Sequence, residues 1–184
     1  MSTQLSLFLC VLAAFPLSAQ EKVNQGALVL QDFDKRIAAY LKLHREAGGH
    51  LPALKHTGTS AEISHRETAL AAKIREARNS ASQGEIFTPE IAAQFRLLIG
   101  ETMRGPSARR IRESLRQATP VWLSTIKVNM TYPRNVPLQT SPPTLLMNLP
   151  QLPPELEYRF VDHTLILRDR EANLVVDFMR DAIP

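Results

Sequence analysis

Apolar residues recur at helical spacing through the first part of the chain and at strand spacing through its last third. Between about Val23 and Ala47, Leu30, Phe33, Ile37, Tyr40 and Leu41 fall on one side of a helix, which Gly48-Gly49 end. Pro52 and Gly58 keep the next stretch a loop. Thr59-Ser60-Ala61-Glu62 then has the spacing of a capping box, in which the hydroxyl and the carboxylate each satisfy a free amide at a helix start. Behind it, Ile63, Leu70, Ile74, Ala77 and Ala81 predict a second helix running to near Gly84. Thr88-Pro89-Glu90 opens a third with an N-cap hydroxyl, a first-turn proline and an acid at the positive end of the dipole. Its stripe is Ile91, Phe95, Leu98, Ile99 and Met103. After Gly105-Pro106, Ala108, Ile111, Leu115 and Ala118 predict a short fourth helix ended by Pro120.

Beyond Pro120 the period becomes two. Ile126, Val128, Met130 and Tyr132 alternate with Lys127, Asn129 and Thr131, the pattern of a half-buried strand. Eight of the 13 prolines lie between Pro120 and Pro154, a density that suits an extended surface connection. Within it, Pro142 to Leu149 has room for one helical turn pinned by Leu145, Leu146 and Leu149. Three short strands follow at Leu156 to Val161, Thr164 to Arg168 and Leu174 to Phe178. The first places Leu156, Tyr158 and Phe160 on one face and Glu157 and Arg159 on the other; the last places Leu174, Val176 and Phe178 together. Turns are expected at Asp162-His163 and from Asp169 to Asn173, where Asp and Asn tolerate left-handed backbone. The fold class expected is α+β, a helical N-terminal half of about four helices packed with a small C-terminal antiparallel sheet. A hairpin unit is marginal alone, so helices and sheet should share one core.

Composition narrows the setting. The 184 residues, 44% hydrophobic and 22% charged, fit one globular domain. The single cysteine, Cys10, excludes a Cys-ligated zinc site, an iron–sulfur cluster, a c-type haem and an internal disulfide. Met1 to Gln20 carry no charge, and their apolar run from Leu5 to Pro16 is too short to span a bilayer. Small residues follow at Ser18 and Ala19, which gives the shape of a signal peptide cleaved near Ala19 or Gln20, although Met1 to Gln4 lack Lys and Arg. Bulky Leu9 before Cys10 argues against a lipoprotein. The expected division is therefore 1–20 signal peptide, 21–120 helical region and 121–184 proline-rich connection and sheet. The mature chain would be soluble, free of thiols and transmembrane spans, and periplasmic or secreted.

The net charge of +4 is local. Arg104 to Arg116 holds five Arg and one Glu, and Arg109, Arg112 and Arg116 fall at i, i+3 and i+7 on one helical strip. Such guanidinium groups bind carboxylate or phosphate bidentately or rest on an anionic surface; solvated side chains whose stems cover the core edge explain the same pattern. No nucleic-acid motif accompanies the strip, which argues against that partner. His44, His50, His56 and His65 cluster around the first interhelical loop, but their spacing matches no metal motif and there is no HExxH. Exposed loop histidines account for them, so neither metal nor cofactor is expected. No GxSxG, GxxxxGK[ST] or GxGxxG occurs, and no glycine follows Gly105. Asp32 with Asp34, two apart on a helix, point to different faces, while Asp169, Glu171 and Asp177 suit turn and cross-strand contacts. Asn129-Met130-Thr131 is a glycosylation sequon, relevant only in a eukaryote.

The order DFDKR, a Leu-Pro loop, ALAAKIREAR and GEIFTP, followed by Val128-Asn129, Tyr132-Pro133, LPQLPPELEYRF and LILRDREANLVVDF, resembles a group of uncharacterised exported bacterial proteins, a domain of unknown function. The resemblance implies export and a shared fold but no activity. Members commonly carry glycine at the turn where this chain has Asp162. The expected function is a non-enzymatic exported protein that binds an envelope protein or glycan or contributes to the envelope. The alternatives are a hydrolase or transferase whose His and carboxylates are gathered only by the fold, and an anion or anionic-surface binder using Arg109, Arg112 and Arg116.

Overall fold

The computed structural model of the protein describes residues 18–49, 51, 59–117, 126–133 and 143–183, the side chains of 18–24 and 115–117 excepted. Helix α1 spans Ser18–Gly49, α2 Ser60–Ala77, α3 Pro89–Thr102, α4 Ala108–Gln117 and the single turn α5 Pro143–Leu146. Strands β1 (Leu156–Val161), β2 (Thr164–Asp169) and β3 (Leu174–Met179) form an antiparallel sheet in the order β1-β2-β3. The chain is α+β, helices first and sheet last, as the change of period predicts. Most of the segment expected to be a signal peptide, and much of the proline-rich connection, lie outside the described residues.

Local chemistry sets the helix starts. Thr59 Oγ1 accepts from the Glu62 amide, and the Glu62 carboxylate accepts from the Thr59 amide, so both halves of the capping box form. Thr88 caps α3 with Pro89 in the first turn. Helix α2 stops at Ala77, earlier than the stripe to Ala81 implies. Arg78 leaves helical backbone at φ −120°, its carbonyl accepts from Asn129 Nδ2 at 2.8 Å, and its side chain folds inward, leaving Ala77 exposed.

One face of the sheet rests on the helices. Leu156, Tyr158 and Phe160 of β1, Leu165 and Leu167 of β2, and Leu174, Val176 and Met179 of β3 join Phe33, Ile37, Leu70, Ile74, Phe95 and Ile99 in a single cluster. Aromatic rings knit three elements and a loop at its centre: Phe33, Phe87 and Phe95 are mutually in contact, and Tyr158 meets Phe95 edge-on at 6.0 Å. Leu145 and Leu149 pin the α5 turn, as expected of that leucine-rich stretch.

The sheet's second face is also covered. Val161, Ile166, Val175 and Phe178 pack with Ile126 and Tyr132, with Val128 and Met130 against them. Residues 126–133 therefore place the expected apolar side chains on the sheet, but not as a regular strand. Asn129 adopts φ +63°, breaking the alternation, and the segment makes one bridge, Thr131 to Leu174. The proposed face of β3 also changes. Leu167 pairs with Asp177 and Arg168 with Val175, so Val176 is the extra residue of a bulge, and Phe178 lies opposite the face of Leu174 and Val176. At the β1–β2 hairpin Asp162 holds φ +53°, a left-handed backbone that Asp tolerates better than most residues other than glycine.

The bulge delivers Asp177, fully buried, to the loop between α2 and α3. Its carboxylate accepts from the amides of Gly84 (3.0 Å), Ile86 (2.7 Å), Phe87 (2.8 Å) and its own neighbour Phe178 (2.8 Å). Gly84, at φ +90°, allows the loop to turn its amides inward. Asp177→Ala would strand these buried donors, each worth about 1–3 kcal/mol when unsatisfied. Urea denaturation of that variant is expected to show a loss of about 4 kcal/mol; a loss below about 1 kcal/mol would show that the carboxylate does not hold the loop.

Candidate functional site

The buried stripe of α1 runs Phe33, Ile37, Tyr40, His44 and Ala47, alternating spacings of four and three. His44 and Tyr40 therefore face the sheet, one helical turn apart. Both meet Asp169, the last residue of β2, which is 0% exposed. Tyr40 Oη donates to Asp169 Oδ2 at 2.7 Å, and His44 Nδ1 donates to the same oxygen at 2.7 Å. The second oxygen accepts the Ala172 amide at 2.8 Å, which closes the β2–β3 turn. His44 Nε2 faces Glu171 Oε2 at 3.5 Å, so the imidazole lies between two carboxylates.

Electrostatics follow from that geometry. The Asp169 hydrogen bond raises the His44 pKa; burial works against it, and the charges of Asp169 and Glu171 add to the rise. Burial first, then the Asp169 charge and hydrogen bond, push the Tyr40 phenol far up and keep it protonated as a donor. Arg78 stacks over the Tyr40 ring at 5.2 Å, donates to the Val176 carbonyl at 3.2 Å, and pairs with Glu85 at 2.5 Å. Its other arm reaches Asn129 Oδ1 at 3.2 Å, while Arg75 donates to the Asn129 carbonyl at 2.9 Å.

A second polar cluster lies on the sheet's other face. Glu157 of β1 accepts from Arg159 at 2.6 Å through one oxygen and from Arg168 through the other; Arg170 Nε approaches the first at 4.0 Å. Burial alone would raise the Glu157 pKa, but the Arg159 and Arg168 hydrogen bonds outweigh it and hold it below the usual carboxylate range. Arg168 is otherwise engaged by Asn173 Oδ1 and stacks over Tyr132. Arg159 Nε is buried and meets no acceptor among the described residues. These groups line an open cleft of about 480 Å³ with Pro154 and Glu171.

The residues singled out from sequence are distributed differently. On α4, Arg109 pairs with Glu113 at 3.0 Å with its side chain 91% exposed, and Arg112 donates to the Met103 carbonyl at 3.0 Å. The Arg116 side chain lies outside the described residues. Asp32 pairs with Arg36 at 2.8 Å. Of the four clustered histidines, His50 and His56 lie outside the described residues and His65 is exposed. His44 is a correction: it is buried on the core side of α1, because it continues the stripe through Tyr40. Asp169 and Asp177 likewise bind helix side chains and loop amides in addition to local turn amides. Among the described residues no group of three or more His, Cys, Asp or Glu is placed to hold a metal ion, and no helix is long and apolar enough to cross a membrane.

The chain matches no protein-family model, no curated protein and no solved structure.

Because the His44 pKa is raised in the folded state, its contribution to stability is complete below about 6.5, the unfolded value, and is lost as pH rises through the folded value. Denaturation of the wild type and His44→Gln across pH 5 to 9 is expected to show this decline in the wild type and a flatter profile in the variant. His44→Ala should cost about 3 kcal/mol at low pH, since it leaves a buried carboxylate short of a partner. Parallel wild-type and His44→Gln profiles would remove the charge from the account.

Proposed function

We propose that the protein is an extracytoplasmic, non-catalytic binding protein, delivered by the segment 1–20 and related to the exported group its motifs resemble. The observation that carries this reading is the placement of the His–carboxylate pair. His44 and Asp169 are 5% and 0% exposed, and their ring and carboxyl atoms are taken up by Tyr40, Glu171 and the Ala172 amide. A general base must reach the proton it removes, and here His44 is buried with Nδ1 on Asp169 and Nε2 facing Glu171. The acids and the histidine that catalysis would require therefore support the fold, which leaves the surface for recognition.

A hydrolase or transferase reading draws on the same pair, since the histidine–carboxylate distance of 2.7 Å matches the oriented base of a nucleophilic enzyme. It requires a nucleophile and substrate beside His44 Nε2, where Glu171 stands. Fractionation of the source cell, N-terminal sequencing of the recovered chain and in-cell crosslinking of the tagged protein test the proposal together. The expected outcome is an extracytoplasmic chain starting near Gln20 or Glu21, crosslinked to one reproducible envelope protein or glycan at the same yield in wild type and His44→Gln. A cytoplasmic, uncleaved chain, or a hydrolytic activity abolished by His44→Gln with the fold intact, would overturn it.

A further inference from the structure

We infer that the cleft floored by Arg159, Arg168 and Arg170 binds a compact oxyanion, a carboxylate or phosphate group of the ligand. The inference deepens the binding-protein reading and rests on it for its biological use, though not for its chemistry.

Three guanidinium groups converge on one carboxylate. Glu157 has both oxygens occupied, one by Arg159 and one by Arg168, so it neutralises one of three positive charges. Glu171 lines the same cleft, but its Oε2 lies 3.5 Å from His44 Nε2. The cleft therefore carries three guanidinium groups against the two carboxylates of Glu157 and Glu171.

Donor accounting gives the same result. Arg159 uses an Nη2 hydrogen on Glu157, and its side chain, 19% exposed, lines the cleft with the remainder of its guanidinium group. Arg170, with its side chain 57% exposed, gives one hydrogen to the Pro154 carbonyl and lines the cleft. Guanidinium forks match the spacing of carboxylate and phosphate oxygens, so an oxyanion seated between the two accepts charge-assisted bonds from both. Arg168 stands apart from this role. Asn173 and Tyr132 hold it as the rigid floor that orients Glu157, and Glu157 orients Arg159.

The cleft also adjoins an apolar groove. Glu157 and Arg159 line both, and Pro143, Leu146, Leu152, Leu156 and Tyr158 complete the second. A ligand that couples its oxyanion to an apolar body would use both sides of Arg159.

The test titrates the full chain with inorganic phosphate and, separately, with citrate at low ionic strength, read by calorimetry, with sodium chloride at matched ionic strength as the control. Saturable heat beyond the chloride control is expected. Arg159→Gln and Arg170→Gln should each weaken binding about tenfold, as loss of a charge-assisted bond does, without lowering the melting temperature in the exposed Arg170→Gln case. Arg109→Gln on α4 should leave affinity unchanged. Saturation by phosphate alone identifies a phosphate site, and saturation by citrate alone a carboxylate site. Heat that chloride reproduces, or affinities unchanged in both cleft variants, would overturn the inference. No saturable anion heat together with a crosslinked partner retained by both cleft variants would remove the anion site and spare the binding reading; an intact phosphate site with no partner would do the reverse.

Discussion

A fully buried carboxylate at the end of β2 must find donors, and the packing of α1 on the sheet is the arrangement in which it does. Asp169 loses its water on folding and recovers three hydrogen bonds, from Tyr40, His44 and the Ala172 amide. An unpaired buried charge would cost several kcal/mol, so α1 cannot slide or rotate on the sheet without exposing that penalty. Apolar contact supplies most of the attraction between helices and strands, but it is non-directional. The Asp169 bonds fix the register of the two layers. Asp177 acts in the same way one strand over, where the loop between α2 and α3 wraps its amides around the carboxylate.

The bulge in β3 makes the second anchor possible. In an unbroken strand Asp177 would face away from Val176 and meet residues 126–133 across the sheet. With the extra residue, Val176 fills the helix-side core while Asp177 reaches the loop, and Phe178 is returned to the other face beside Ile166. That second face is why so small a sheet is buried on both sides. Asn129, bent at φ +63°, joins the covering segment to Arg75 and Arg78 and so to α2. The three-stranded sheet is thus held between two layers, each tied to it by polar bonds as well as by packing.

Much of this was legible in the sequence. The capping box at Thr59, the Thr88-Pro89 start, the buried face of α3 and the inward face of β1 all follow from local spacing, because each depends on residues within a few positions of one another. The features that escaped depend on long-range partners. His44 read as a loop histidine because it lies close in sequence to three others, yet it sits four residues after Tyr40 on the buried stripe, a signal that was present. Asp177 stands inside the run LVVDFM, where a charge among apolar residues marks either a solvent-facing position or a buried anchor, and only the tertiary partner decides which. The end of α2 at Ala77 depends on Asn129, about fifty residues away. In the same way the basic strip on α4 was visible because helical spacing puts it on one face. The cluster of Arg159, Arg168 and Arg170 needs the β1–β2 register to appear at all.

These anchors engage the His–carboxylate pair within the fold, while the Arg159, Arg168 and Arg170 cluster lies on the far side of the sheet. His44 braces Asp169 and Glu171, and the Asp169 hydrogen bond raises its pKa. Nitrogen-detected NMR titration of the His44 ring in the native protein measures that directly. An imidazolium midpoint above the ordinary histidine value of about 6.5, with a slowly exchanging Nδ1 proton, is the expected result. A midpoint at or below that value, with a freely exchanging ring, would contradict the brace and return His44 to the candidates for a general base.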